Sequence, residues 1–114
     1  MIRHLGTEHP GEIDFVPQAV IGRPRSYFEK SLHIHFSAGD DDFDRYEEAT
    51  FLLNDDLPFV LRHYAGHPAN TTTLYLPRTY QEIDQITSIV RRIIQELSVD
   101  RKDIIWQRAD NPEL

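Results

Sequence analysis

The sequence contains no cysteine, and that absence excludes several kinds of chemistry at once. Thiolate catalysis, cysteine-ligated zinc and a disulfide framework all require this residue. Redox activity would need a bound cofactor, and the sequence has no motif for binding one, so we expect no cofactor. A cysteine-free chain is also compatible with a reducing compartment.

Long hydrophobic runs are missing as well. No window approaches the roughly eighteen apolar residues of a membrane-spanning helix, and the N-terminus has no apolar stretch after its first basic residue. We therefore expect no membrane span, no signal peptide and a cytoplasmic location. Phosphate-binding glycine loops, the nucleophile elbow and the His-Glu-x-x-His motif are absent too. Whether the chain is an enzyme stays open, but the lack of these motifs favours a protein that is not one.

Basic charge is scarce. Nineteen acidic residues outnumber twelve basic ones, which gives a net charge of −7. This charge repels phosphate backbones and anionic membranes at long range, so we expect neither nucleic acid nor a membrane as a partner. Ten of the twelve basic residues are arginine, whose planar fork pairs with carboxylates and stacks on aromatic rings.

The clearest pattern in the chain predicts a long amphipathic helix over residues 79–97. Thr79 stands three residues before Glu82, the spacing of a capping box. Apolar residues then recur at steps of three and four, which predicts one buried stripe along the helix. The stripe consists of Ile83, Ile86, Ile89, Val90, Ile93, Ile94 and Leu97. Because most of these residues are β-branched, burial of the stripe has to hold the helix together.

Alternating apolar and polar residues predict strands elsewhere. Three such segments occur, at residues 31–36, 57–64 and 72–76, and residues 103–108 are a short, strongly β-prone run that predicts a fourth strand. A second helix is predicted over residues 43–53, although residues 49–53 could instead begin a strand. Residues 13–21 are apolar but contain Pro17, which restricts them to an edge strand or an extended segment.

The order of the elements predicts the fold class. Strand, helix, strand, strand, helix, strand is the order of the ferredoxin-like, split-βαβ arrangement. We therefore expect an α+β domain with a four-stranded antiparallel sheet, both helices on one face, and residues 13–21 as a possible extra edge strand. We place this single domain at residues 13–109, between a flexible N-terminal arm, residues 1–12, and a flexible C-terminal tail, residues 110–114.

The sheet face opposite the helices is the best candidate for a functional surface. If the apolar residues of strand 31–36 point toward the helices, its two histidines point away from them. The same parity places one arginine and two tyrosines of the other strands on this face, together with either Ile105 or Trp106. The candidate surface consists of His33, His35, Arg62, Tyr64, Tyr75 and Trp106.

The leading hypothesis is a non-enzymatic interaction or regulatory module that self-associates through this face. Tyr, Trp and Arg are enriched at the energetic centres of protein interfaces, which favours a homo-oligomer. In a narrower version the acidic chain binds a basic protein and masks its charge. RNA stacking on Tyr75 is disfavoured by the net charge and by the missing RNA-recognition motif.

The alternative hypothesis comes from a different class. It is a small-molecule-binding protein or small enzyme that resembles the dimeric α+β barrels, in which two sheets enclose a pocket. His33, His35 or His63 would then act as acid, base or ligand, and Arg62 would hold an anionic group. His33 and His35 are only weak candidates for metal binding, because the sequence places no third ligand beside them. We therefore expect no metal.

Overall fold

The structure, a computed structural model, describes residues 1–6, 13–40 and 44–110. In this part of the chain, segments in which apolar and polar residues alternate form antiparallel strands. The strands are β1 (Ile2–His4), β2 (Phe15–Ile21), β3 (Ser37–Asp40), β4 (Arg45–Leu53), β5 (Leu57–Tyr64), β6 (Thr72–Pro77) and β7 (Ile104–Gln107). The helices are α1 (Arg25–Leu32) and α2 (Ile83–Glu96), and short 3₁₀ turns cover Arg101–Asp103 and Arg108–Asp110. The fold is therefore α+β, as predicted.

The seven strands form one antiparallel sheet in the order β1, β4, β5, β6, β2, β7, and β3 pairs with the other end of β4. Buried residues of both helices belong to a single core on one face of this sheet. The predicted four-stranded ferredoxin-like sheet is not confirmed, because the sheet has more strands. The additional strands come from segments predicted as an arm (β1), an optional edge (β2) and a helix (β4), and from the connection between the predicted strand 31–36 and that helix (β3).

Residues 31–36, predicted as a strand, are instead the end of α1 and the loop after it. His33 ends the helix in the left-handed conformation, with a φ of 56°, which few residues other than glycine adopt. Ile34 and Phe36 are buried although they lie outside any strand. The alternation therefore predicted the buried side chains correctly, but an extended loop can produce the same period of two.

The helix predicted over residues 43–53 is wrong in its described part, where the chain forms β4. The alternative, in which residues 49–53 begin a strand, is right about the type of element, but β4 already begins at Arg45 and these residues are its second half. Buried core residues alternate along it, at Ala49, Phe51 and Leu53. At its end Asn54 and Asp55 have positive φ values of 53° and 64°, as the two central residues of a type I′ turn require, and the N–H of Asp56 donates to the carbonyl oxygen of Leu53. The hairpin continues into β5, which spans the predicted residues.

The segment at residues 13–21 forms β2, which lies between β6 and β7 rather than at an edge. Pro17 is tolerated there because β7 pairs with β2 only from Ala19 onward, so the missing N–H interrupts no ladder on that side. The register with β6 shifts between Pro17 and Ala19. Gln18 is therefore the extra residue of a β-bulge.

The long helix is confirmed, although α2 begins at Ile83 rather than Thr79. The predicted capping box does not form: Glu82 is the N-cap residue, and its side chain makes no capping hydrogen bond. Ile83 is 49% exposed. The rest of the stripe packs into the core as predicted, with Leu32, Ile34, Phe36, Leu61, Leu74 and Leu76 among its neighbours.

Parts of the predicted arm and tail lie outside the described residues, namely residues 7–12 and 111–114, as do residues 41–43, the last of which begins the predicted second helix. Residues 2–4, also assigned to the arm, pair with β4 as β1. In the described part of the chain, neither helix has the length and apolar character needed to cross a bilayer.

Candidate functional site

The strand register builds one row of side chains across the face of the sheet that turns away from both helices, here called the outer face. Glu48 on β4 lies opposite Arg62 on β5, and Arg62 lies opposite Thr73 on β6. Thr73 lies opposite Val20 on β2, and Val20 lies opposite Trp106 on β7. Directly opposed residues of neighbouring strands point to the same face. Five strands therefore contribute to one surface.

Arg62 is the centre of this surface, where one carboxylate and three aromatic rings hold its guanidinium. Nε and Nη2 donate to Oε2 of Glu48 at 3.1 and 2.8 Å, and Nη1 donates to the hydroxyl of Tyr64 at 3.1 Å. Cζ lies 4.5 Å from the ring centroid of Tyr46, 4.8 Å from that of Tyr75 and 5.8 Å from that of Tyr64. These distances are typical of cation–π interactions. The side chains of Arg62 and Glu48 are 19% and 25% exposed, so the pair is only partly hydrated.

The same contacts shift two pKa values. Burial alone would lower the pKa of Arg62, but hydrogen bonding and charge attraction from Glu48, with further help from Tyr64, raise it above its ordinary value. Burial raises the pKa of Tyr75 to about 12, and nearby Tyr64 adds to the rise while the charge of Arg62 opposes it. Arg62 is therefore a cation and Tyr75 a neutral phenol at physiological pH.

Tyr46 completes the aromatic cluster on the side of β3. Its ring packs against that of Tyr64 with centroids 5.5 Å apart. It also lies across Gly39, where an added Cβ atom would come within 2.7 Å of the ring. Residue 39 must therefore lack a side chain for Tyr46 to reach Arg62.

The other end of the row is apolar. Val20 and Trp106 are half-buried, whereas Val60, which lies opposite Tyr75, is 2% exposed. Val60 and Tyr75 are buried outside the main core that contains the helices. The only charges in the row are those of Glu48 and Arg62, which neutralise each other.

The structure brings together four of the six predicted surface residues: Arg62, Tyr64, Tyr75 and Trp106. Sequence reasoning missed Glu48 and Tyr46, because it placed both on a helix. The signal that could have found them is the alternation of Tyr46, Glu48, Thr50 and Leu52 with the buried residues of β4.

His33, His35 and His63 do not join this surface. The expectation that a strand carries His33 and His35 is wrong, because α1 continues to Leu32; both residues are exposed. His63 points to the opposite face from Arg62, and its Nδ1 lies 2.8 Å from the carbonyl oxygen of Thr71. Residues 1–6, 13–40 and 44–110 contain no group of three or more His, Cys, Asp or Glu side chains that could hold a metal.

The geometry limits what the outer face can do chemically. Arg62 donates from all three nitrogens to Glu48 and Tyr64, so it presents no free fork to an anionic substrate. The imidazole of His67 packs against the ring of Tyr64, with centroids 5.4 Å apart, at the side of the cluster rather than at the guanidinium. What the cluster provides is a preorganised aromatic surface with its central charge already compensated, which is typical of an interface rather than a catalytic centre.

No family model matches the chain, and comparisons with curated proteins and with solved structures find no match either.

Proposed function

We propose that this chain is a non-enzymatic interaction module that forms a homodimer through its outer face. The observation that carries the proposal is the row from Glu48 to Trp106, which joins aromatic, apolar and internally paired charged side chains across five strands. Tyr, Trp and Arg supply most of the binding energy in known interfaces. Both described helices pack on the opposite face, and Val20, Tyr64 and Trp106 remain partly exposed on this one, whereas Thr73 and Tyr75 are 5% and 8% exposed.

The distribution of charge favours a second copy over a basic protein as the partner. Two copies with a net charge of −7 each repel wherever acidic surfaces meet. In the outer-face row the carboxylate of Glu48 is already paired with Arg62, at 2.8 Å. Two outer faces can therefore meet without bringing unpaired charges together. A basic partner would find no free carboxylate in this row.

The outer face is large enough for a modest dimer. Five strands spaced about 4.8 Å apart, each contributing about six residues at about 3.3 Å per residue, give a flat footprint on the order of 500 Å². Because side chains project from the sheet, its accessible area is larger than this flat footprint. Standard interfaces bury about 800 Å² per partner. The area that a two-fold contact centred on this row buries is therefore near the lower limit for stable association.

Sedimentation at several protein concentrations tests the proposal. Val20→Glu introduces a carboxylate into the apolar end of the row without changing Arg62 or Glu48, and a contact between two outer faces would bury this unpaired charge in each copy. Ile83→Glu is the matched control, because it adds the same charge to an exposed apolar residue on α2, away from the outer face. We expect a dimer for the wild type and the control, and a monomer for Val20→Glu.

Trp106 gives a second readout, since it is the only tryptophan in the chain. If the outer faces meet, its fluorescence emission should shift to shorter wavelength as the protein concentration rises, and this shift should be absent in Val20→Glu. A wild-type chain that stays monomeric at all concentrations would refute the proposal. Association that disappears at high salt would favour an electrostatic contact elsewhere on the acidic surface.

A further inference from the structure

A cavity of about 310 Å³ lies beside the inner face, between the bulge of β2, the start of α2 and the 3₁₀ turn after β7. Its polar groups include those of Gln18, Arg78, Tyr80 and Arg108. Its apolar part is lined by Val16, Ile83 and Ile86. The volume falls within the range of small-molecule sites, and the mixed lining suits a ligand with one charged end and one apolar end.

Gln18 is the first sign that the cavity is built for a ligand. The residue is 1% exposed, yet its Oε1 has no hydrogen-bond partner among the residues that the structure describes. Buried polar atoms without a partner are rare in folded proteins, because they lose their contacts with water and gain nothing in return. The bulge of β2 brings this side chain to the cavity wall. A hydroxyl or amino group of a ligand would donate to its oxygen.

The positive charge at the cavity is the second sign. Arg108 is half-buried and forms no ion pair or hydrogen bond with any described residue. Arg78 donates its Nε–H to Asp14 at 2.5 Å, and its two Nη nitrogens have no partner in the described part of the chain. Both members of this pair are well exposed, at 63% and 68%, so a ligand competes with a weak contact.

The start of α2 adds to this positive potential. The helix is 14 residues long and its N-cap residue makes no side-chain hydrogen bond, so no capping side chain satisfies the backbone N–H groups of the first turn. Such an end attracts anions through its free N–H groups and its dipole. The acidic residues of this turn, Glu82 and Asp84, are exposed and do not line the cavity.

We infer that this cavity binds a small carboxylate that carries a hydroxyl or amino group and a short apolar body. Planar arginine forks match a carboxylate, the amide of Gln18 requires a hydrogen-bond donor, and the apolar wall excludes a ligand that is charged throughout. This site lies apart from the outer face and does not depend on self-association.

Nuclear magnetic resonance titrations of the full chain with three matched probes test the site. 3-Phenyllactate has the carboxylate, hydroxyl and apolar body; 3-phenylpropionate lacks the hydroxyl, and 3-phenyllactamide lacks the charge. We expect saturable shifts of the Gln18 side-chain amide and of the Ile83 and Asp84 backbone amides with phenyllactate. Binding should be about tenfold weaker without the hydroxyl and weaker still without the charge. Inorganic phosphate should shift these signals less than phenyllactate does.

Three variants assign the effects to residues. Arg108→Gln should weaken phenyllactate binding by about tenfold or more. Arg91→Gln, which removes the same charge from an exposed position on α2 outside this cavity, should leave binding unchanged. Gln18→Leu should abolish the preference for phenyllactate over phenylpropionate. Absence of saturable shifts with all three probes would overturn the inference. So would equal losses in the two arginine variants, or tighter binding of phosphate than of phenyllactate.

Discussion

The pair formed by Glu48 and Arg62 allows the sharpest test of the outer-face geometry. Glu48→Gln keeps the size of the side chain but removes its charge, and so leaves the Arg62 guanidinium among three tyrosine rings without a counter-ion. Exposed ion pairs contribute about 0–1 kcal/mol, whereas breaking a buried pair costs about 3–5 kcal/mol. The two side chains are 19% and 25% exposed. We therefore expect Glu48→Gln to lower the free energy of unfolding by an intermediate amount, about 2 kcal/mol.

A double-mutant cycle separates the pair interaction from other effects of each substitution. Arg62→Met removes the guanidinium and keeps an unbranched apolar stem. Because the hydrogen bonds from Nε and Nη2 both end on Glu48, the double variant should be more stable than the sum of the single losses predicts, by about 1–2 kcal/mol. Urea titrations measure all four chains, at a concentration where each is a single species, since association would add to apparent stability.

The matched control is the ion pair of Asp14 with Arg78, whose side chains are 68% and 63% exposed. The same cycle there, with Asp14→Asn and Arg78→Gln, should give a coupling energy near zero because solvent screens the charges. Equal coupling energies in the two cycles would refute the argument that partial burial strengthens the outer-face pair. A zero coupling for Glu48 and Arg62 would show that the pair does not stabilise the fold.

Three further predictions concern single side chains. Ile93→Ala should lower the free energy of unfolding by about 2–5 kcal/mol, because Ile93 is a fully buried residue of α2, whereas His33→Ala should cost far less; urea titrations compare them. Burial raises the pKa of Tyr75 to about 12 from 10.0, so the folded protein keeps a proton that the unfolded chain loses, and stability falls as pH rises through that interval; in urea titrations at rising pH, Tyr75→Phe should lessen this decline. Gln18→Leu should raise the stability of the ligand-free protein by about 1 kcal/mol, because it removes a buried atom without a partner; a clear loss in thermal unfolding would contradict this.

The sequence predicted the structure correctly where a single hydrophobic period continued along a whole helix or strand. The stripe of α2 and the alternation of β5 and β6 predicted the inner core and the outward placement of Arg62, Tyr64 and Tyr75. Each of these elements buries one complete face, so hydrophobic periodicity and tertiary packing agree. The start of α2 was predicted less well, because Thr79 and Glu82 have the spacing of a capping box but form none.

Prediction failed where local pattern and tertiary contacts diverged. Residues 43–53 have apolar residues at helical spacing, yet β4 forms because strands on both sides pair with it. Ile34 and Phe36 alternate in burial without a partner strand. In both segments, contacts with residues distant in the chain determine the secondary structure. The spacing of apolar residues within the segment carries no information about those contacts.

One extra residue in β2 determines what each face of the sheet carries. Pro17 and Val20 both lie on the outer face, opposite Tyr75 and Thr73 of β6, although a regular strand would turn residues three positions apart to opposite faces. The bulged residue Gln18 takes up this difference, and its own side chain reaches the cavity beside the inner face. Assigning residues to faces by strict alternation along the sequence therefore puts one end of β2 on the wrong face. The error affects either the residues of the outer-face row or those of the cavity wall. Since Val20→Glu and Gln18→Leu each change one side chain and leave the bulge in place, the proposed dimer and the proposed carboxylate site can fail independently.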